Sequence, residues 1–405
     1  MNGCLPLFMT STARSGSYLI SMMLSANNQV MVASEPYLEL FRSLRNAFVR
    51  YGASPEIQCV FDPRSPIQDY YFLPERIRIM DTIQAGDLSM SFDPSEWEPF
   101  LQSSVRRAEL QCAELIPYLS ELRGSTYKEM FDNAFRIIAE ARKAKDRRWV
   151  GIKDAWTIEF FRPLARAYPE ARFIVILRDP RAIVNSMLGV VKIDPLQVGQ
   201  VLSYARHWRK YVAFCEHYRN DEQFKDRIYV LKHEEFVRDP EKRAREVCEF
   251  LDVEFKPEML DTGKYFDFAT GSVWKGNSSF EEVTVGISVD RAERWRTRLN
   301  PTIVEVVDCF CGPDMKLVGY EPLEDCESRW PNGDVLEYIV RSHRDYCSWR
   351  SDLGDPQLDY GFELFRRALL SVAEESLDSQ LIRRSFLFEE VFRAIRQRLM
   401  STQSV

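Results

Sequence analysis

Short apolar runs, each ending in small hydroxyl or charged residues, alternate along this chain with longer stretches whose apolar positions recur at helical spacing. Leu5-Pro6-Leu7-Phe8-Met9 gives way to Thr10-Ser11-Thr12-Ala13-Arg14-Ser15-Gly16-Ser17, and Leu19, Met22 and Met23 then recur every three to four residues. This predicts a strand, a tight loop, and a helix from about Ser17 to Ala26 closed by Asn27-Asn28. Gln29 to Ala33 reads as a second short strand that delivers Ser34-Glu35-Pro36, with Pro36 steering Glu35 away from helix. Trp149-Val150-Gly151-Ile152 is a third run, ending in the charged pair Lys153-Asp154. The β-branched run from Ala171 to Leu177 suits a central parallel strand covered on both faces, and Arg178 ends it. Asp179-Pro180 then starts a helix that carries Ser186 about two turns in.

Strands separated by helical stretches predict an α/β protein with a central parallel sheet. From about residue 41 to 148 the pattern is mostly helical, with Glu109 to Leu122 and Tyr127 to Lys145 amphipathic, and with a loop from Ser54 to Pro74 rich in proline and aromatic residues. This is a helical insertion suited to a lid or a pocket wall. Val198 to Tyr218 predicts a long helix with Tyr204, Trp208 and Tyr211 turned to the core. Between Leu358 and Met400 the apolar positions Phe362, Phe365, Leu369 and Leu370, then Leu387, Val391, Ile395 and Leu399, predict two helices. The domain expectation is therefore a main domain over 1–325 and a helical extension over 326–405. The apolar faces of that extension suit packing on the main domain or on a second copy of the chain. Its arginines (Arg383, Arg384, Arg393, Arg396 and Arg398) suit a solvated face.

Composition narrows the partners. A net charge of −7 and a pI near 5.5 give no basic footprint for nucleic acid. The 9 cysteines contain no C-x-x-C pair, which favours reduced thiols over a disulfide framework or a zinc site. No apolar run is long enough for a leader's core or a membrane span, so the expectation is a soluble, cytoplasmic protein. No metal-ligand constellation and no internal repeat is visible.

The first loop carries the chemistry. A helix that opens directly from a tight turn leaves its first backbone N–H groups unpaired, and its dipole adds positive potential there. With Arg14, Ser15 and Ser17 beside it, the loop is an oxyanion cradle. It lacks the lysine that follows the second glycine in the nucleotide-triphosphate loop G-x-x-x-x-G-K-[ST], because Ser17 follows Gly16. Taken alone, Arg-Ser-Gly-Ser also fits an ordinary strand-to-helix turn.

Thr12-Ala13-Arg14-Ser15-Gly16-Ser17 followed by Ile176-Leu177-Arg178-Asp179-Pro180-Arg181 and by Ser186, eight residues after Arg178, resembles the sulfotransferase family. The form with Arg before Ser-Gly and a later Glu-Pro is similar to its carbohydrate and bacterial branches. Trp274-Lys275-Gly276-Asn277-Ser278-Ser279-Phe280 is similar to a loop of bacterial members. Gly286-Ile287-Ser288 through Arg294-Trp295-Arg296 is similar to the family's final element. The landmarks cover roughly residues 5 to 300.

The resemblance implies 3′-phosphoadenosine 5′-phosphosulfate as sulfonate donor, with adenosine 3′,5′-bisphosphate as product. It assigns Arg14, Ser15, Gly16, Ser17 and Tyr18 to the 5′-phosphosulfate, and Arg178, Ser186, Gly286, Ile287 and Ser288 to the 3′-phosphate side. Arg14 is the candidate for the leaving-group oxygen. Lys153, at a strand end, is a second candidate or a solvated lysine. For the base, none of His207, His217, His233 and His343 lies at the family's usual histidine position, whereas Glu35 fits the glutamate used in some branches. Partial burial beside an apolar acceptor would raise the pKa of Glu35, and Arg14 would oppose that. Tyr18 departs from the family's usual Thr or Ser, which leaves one hydroxyl contact absent or supplied by a phenol. The expected acceptor is a hydroxyl, or less favourably an amine, of a small metabolite, lipid or sugar. The alternatives are a P-loop kinase using ATP and magnesium, and a non-catalytic relative that binds the nucleotide or a partner.

Overall fold

A computed structural model describes residues 3–63, 73–155, 157–191, 199–268, 270–276, 286–323 and 356–402. Two compact units share the chain. The first comprises Met1–Pro63, Ile79–Leu177 and Glu222–Val289, and the second Arg64–Arg78, Arg178–Asp221 and Asp290–Val405.

The first unit holds a five-stranded sheet in which β1 (Leu5–Ser11), β2 (Val30–Ser34), β3 (Trp149–Lys153), β4 (Arg172–Leu177) and β5 (Ile228–Lys232) run in the order β2-β3-β1-β4-β5. Every pairing is parallel, as the uninterrupted apolar runs require of strands buried on both faces. Gly151 on β3 stands in register between Leu7 on β1 and Val32 on β2. A Cβ there would lie 3.1 Å from Val32 Cγ2 and 3.3 Å from Leu7 Cδ2, so the glycine lets two larger side chains close over the strand.

The helical insertion closes onto this sheet through aromatic packing. Phe8 stacks on Phe173 of the neighbouring strand, with ring centroids 5.6 Å apart, and meets Phe135 of the Tyr127–Ala141 helix edge-on at 5.3 Å. That helix starts with a reciprocal cap. Thr126 Oγ1 accepts from Glu129 N–H at 3.2 Å, and Glu129 Oε2 accepts from Ser125 N–H at 2.7 Å. The amphipathic stretch predicted as one helix over Glu109 to Leu122 is broken. An α-helix, Trp97–Gln111, stops at Cys112, and the chain continues as a 3₁₀ helix, Ala113–Leu122, that contains Pro117. The missing N–H of Pro117 denies a continuous α-helical ladder, so the tighter winding takes over. The Ser54 to Pro74 loop likewise holds a short helix, Pro55–Val60, before entering residues outside those described.

The second unit is helical. Pro180–Val191, Gly199–Arg219 and Pro301–Leu317 pack with C-terminal helices that, among the described residues from 356 to 402, number three where the periodicity predicts two: Pro356–Leu369, Ser379–Phe386 and Glu389–Thr402. The extra break falls at Leu387, whose φ of 67° ends one helix before the next can begin. Ile382, Phe386, Val391, Phe392 and Ile395 are buried, while Arg393 is exposed and pairs with Glu374 and Glu389.

Charge fixes the first of these helices in place. Glu363 accepts from Arg206 Nε at 2.7 Å and from Arg209 at 2.6 and 3.0 Å, with all three side chains buried. Burial alone would raise the Glu363 pKa, but Arg209 and Arg206 bring it down to about 2. Removing one partner of such a group leaves uncompensated buried charge, which costs about 3–5 kcal/mol. Glu363→Ala is therefore expected to lower unfolding free energy by about that amount in urea titrations monitored by tryptophan fluorescence.

Candidate active site

The loop after β1 is left-handed twice. Arg14 has φ 64° and Gly16 φ 78°, and Gly16 precedes the Ser17–Ser25 helix without offering a capping side chain. The first-turn N–H groups of that helix therefore have no side-chain acceptor from the capping position and no acceptor within the helix itself. The loop's hydroxyls hold each other. Ser11 Oγ donates to Ser17 Oγ at 2.9 Å, and Thr12 Oγ1 and Ser15 Oγ share a bond of 2.6 Å. Ser17 accepts in this pair, so its own proton points elsewhere. Ser15 is fully buried and serves the shape of the loop.

His233, the first residue of the His233–Arg238 helix after β5, packs on the loop. A Cβ on Gly16 would stand 2.2 Å from His233 Cδ2, so the glycine is demanded by contact as well as by φ. Sequence position put no histidine at the family's usual position for the base. The parallel pairing of β5 beside β4 brings this one back to the loop's end of the sheet.

Glu35 follows β2 with φ 58°. In the β2–β3 register Ser34 pairs with Lys153, which sets the two strand ends side by side. Lys153 Nζ donates to Glu35 Oε1 at 2.9 Å, and Arg107 donates to Glu35 Oε2 at 2.7 Å. The Lys153 side chain is 4% exposed and that of Glu35 24%, so Lys153 is an enclosed partner and not a solvated lysine. The Lys153 charge is the main reason that the Glu35 pKa lies below its ordinary value. Burial opposes the shift, and Arg107 and Arg14 add to it. The opposition expected from Arg14 is thus present but secondary, and Lys153 and Arg107 outweigh the burial of Glu35.

Asp154, next to Lys153, is buried. Its pKa is pushed up to about 8 by burial and by the neighbouring Glu35 charge. The strand-end pair Lys153-Asp154 was visible in the sequence, but Arg107 was not. It is one of two adjacent arginines in a helix 72 residues away from Glu35, and only the packing of that helix brings it in.

Tyr18 turns its phenol to Asp267, donating a hydrogen bond to Oδ1, and burial with that partner raises its pKa. The phenol is thus held by protein. Tyr18, Ser21, Ser34, Gln111, Arg142 and Phe268 line a shallow pocket of about 270 Å³ that includes its open mouth. Arg142 spans it, stacking over Phe268 at 3.9 Å and donating to Glu114 and to Val32 O.

The other predicted residues divide between the units. Gly286 (φ 115°), Ile287 and Ser288 belong to the first and are half-buried. Arg178 and Ser186 belong to the second, where Arg178 donates to Arg291 O at 3.2 Å and Trp208 Nε1 donates to Arg178 O at 2.8 Å. Ser186 is buried on the Pro180–Val191 helix. Trp295 lies under Arg181, 4.1 Å from its ring centre. Of the loop Trp274 to Phe280, residues 277–280 lie outside the described residues.

This chain belongs to the sulfotransferase family, whose sequence model matches residues 6–257. It is 29% identical over 185 residues to carbohydrate sulfotransferase 3 of Tetronarce californica, covering 42% of this chain and 40% of that protein. It is 25% identical over 191 residues to protein-tyrosine sulfotransferase 1 of Danio rerio, covering 47% and 53%. The matched segment therefore spans about half or less of those relatives. Among solved structures, the sulfotransferase domain from the curacin biosynthetic pathway aligns with a TM-score of 0.43 at 17% identity, covering 78% of this chain and 99% of that one.

Two outcomes follow from this geometry. Gly16→Ala should lower the melting temperature, and adding His233→Ala should recover only part of the loss, because the contact is relieved while the φ of 78° stays unfavourable. Asp154 retains a proton in the folded state that the unfolded chain releases, so stability falls as pH rises from about 4 to about 8. Asp154→Asn abolishes that loss, and its melting temperature relative to the parent should climb across this window in a pH series of thermal melts.

Proposed function

We propose that this chain transfers sulfonate from 3′-phosphoadenosine 5′-phosphosulfate to an acceptor hydroxyl, with Glu35 as the base. The observation that carries the reading is an ionised carboxylate fixed between Lys153 and Arg107 at the ends of β2 and β3, in the unit that also holds the uncapped loop. The donor supplies an activated sulfonate: its bond to the 5′-phosphate oxygen breaks as a bond to the acceptor oxygen forms.

The residues of the chain fit such a dianionic group. The first-turn N–H groups after Gly16, the helix dipole and Ser17 offer donors, and Arg14 adds a cation. Lys153 is assigned to charge on the leaving oxygen, which it can serve while Arg107 keeps hold of Glu35. Arg178 and Ser186, with Gly286, Ile287 and Ser288, are assigned to the 3′-phosphate. Glu35, with a lowered pKa, is a weak base. It suits proton removal late in the transfer, when the acceptor oxygen has become acidic through bonding to sulfur. The names of the relatives favour a carbohydrate hydroxyl or a tyrosine phenol among acceptors, with lipids and small metabolites behind them.

Calorimetric titration with adenosine 3′,5′-bisphosphate should show tighter binding than ATP with magnesium, and Arg178→Ala should abolish the preference. The reverse order would favour the kinase alternative, which the missing Gly-Lys-[Ser/Thr] already disfavours. Glu35→Gln should slow transfer by about 10²–10⁴ with little change in bisphosphate affinity. A non-catalytic relative would bind the nucleotide and show no turnover with any acceptor.

The pH–rate profile should lose activity only below the ordinary glutamate range, because Glu35 stays ionised above it. In Lys153→Ala the acidic limb should move to higher pH, since the largest influence holding Glu35 down is gone while its burial remains.

A further inference from the structure

We infer that Asp154 is a positioning residue for Glu35, clamping the turn that aims its carboxylate. The inference rests on the reading of Glu35 as the base. Glu35 occupies the left-handed region at φ 58°, which a glutamate adopts only when its surroundings hold it there. The turn Glu35-Pro36-Tyr37 has just two backbone donors, because proline has no N–H. Both go to consecutive residues of one anchor. Glu35 N–H donates to Lys153 O at 2.5 Å, and Tyr37 N–H donates to Asp154 Oδ2 at 3.1 Å.

The anchor is itself fixed from several sides. Asp154 N–H donates to Met9 O at 3.1 Å, and its carbonyl accepts from Thr10 Oγ1 at 2.8 Å and Thr157 Oγ1 at 2.9 Å. The side chain is 1% exposed, and Oδ1 has no hydrogen-bond partner among the described residues. The groups that bear on the Asp154 carboxyl are Glu35, Arg107, Lys153 and the N–H of Tyr37. Burial and the Glu35 charge keep Asp154 protonated at neutral pH, so an uncharged replacement leaves the local charge unaltered. Any effect of such a replacement on Glu35 then reports displacement and not a lost charge.

The test compares Asp154→Ala, Asp154→Asn and the double variant Asp154→Ala/Glu35→Gln in the full chain. Glu35 titration is read by carboxyl-labelled NMR, donor-site integrity by affinity for adenosine 3′,5′-bisphosphate, and transfer with N-acetylglucosamine or a tyrosine-containing peptide, whichever the parent sulfates. Asp154→Ala should raise the Glu35 pKa toward its ordinary value as the carboxylate leaves Lys153. It should also lower kcat tenfold or more at unchanged bisphosphate affinity.

Asn keeps an acceptor for Tyr37 N–H, so Asp154→Asn should restore both quantities to within threefold. In the Glu35→Gln background, Asp154→Ala should add almost nothing, because both act through one group. An unshifted Glu35 titration in Asp154→Ala, or a parallel loss of bisphosphate affinity, overturns the inference. So does a folded Asp154→Asn that loses transfer at constant affinity, which is decisive even where Asp154→Ala does not fold. If the parent sulfates neither acceptor, the proposed function is in question, while the Glu35 titration still judges the clamp.

Discussion

The ion pair between Glu35 and Lys153 is the interaction on which the rest of the site depends. A lysine whose side chain is 4% exposed has lost most of its contact with water and needs a carboxylate facing it, and the Lys153 charge is in turn the main influence that holds Glu35 ionised against its burial. The pair exists because β2 lies on β3 in one register, Ser34 opposite Lys153. A slip of one residue would turn every side chain of β2 to the other face and dissolve it. Arg107 extends the arrangement to the Trp97–Gln111 helix, whose end is also tied to β2 through Cys112 Sγ donating to Ser34 O at 3.2 Å. The helical insertion is thereby coupled to the strand ends through charge as well as through apolar packing.

The local electrostatics have a consistent sense. Glu35 is ionised among Lys153, Arg107 and Arg14, while Asp154 is held neutral beside it. Two carboxyls at adjacent strand ends thus take opposite protonation states, set by which of them faces the cations and which is buried. That division suits a reaction in which anionic charge is brought in and one proton is removed. Elsewhere the phenol of Tyr18 and the hydroxyls of Ser15 and Ser17 are engaged within the protein, so the loop's shape is fixed before any anion arrives. The first-turn N–H groups of the Ser17–Ser25 helix are then preorganised donors, which is what electrostatic stabilisation requires.

The second unit shows the same use of buried charge for architecture. Glu363 between Arg206 and Arg209, and Arg366 on Asp314, fasten the Pro356–Leu369 helix to Gly199–Arg219 and Pro301–Leu317. Such pairs add little net stability over apolar packing, but they admit one arrangement of the helices, since each misplaced partner would strand a charge.

Sequence by itself determined the strands, the loop and the family. Apolar runs such as Phe173 to Leu177 have no other use than a covered strand, and Gly16 after Arg14-Ser15 marks a turn that few residues can make. Glu35 and Lys153 were legible as strand-end residues, because parallel sheets present their loops at one end. What only tertiary structure decided is how those residues meet. The chain does not announce that Lys153 pairs with Glu35, that Arg107 arrives from a distant helix, or that His233 closes on Gly16. The direction of the Glu35 shift and the third helix between residues 356 and 402 were likewise out of reach of the local pattern. Periodicity encodes which face a residue turns inward. It carries nothing about which charge stands opposite, since that depends on strand order and helix placement summed over the whole fold.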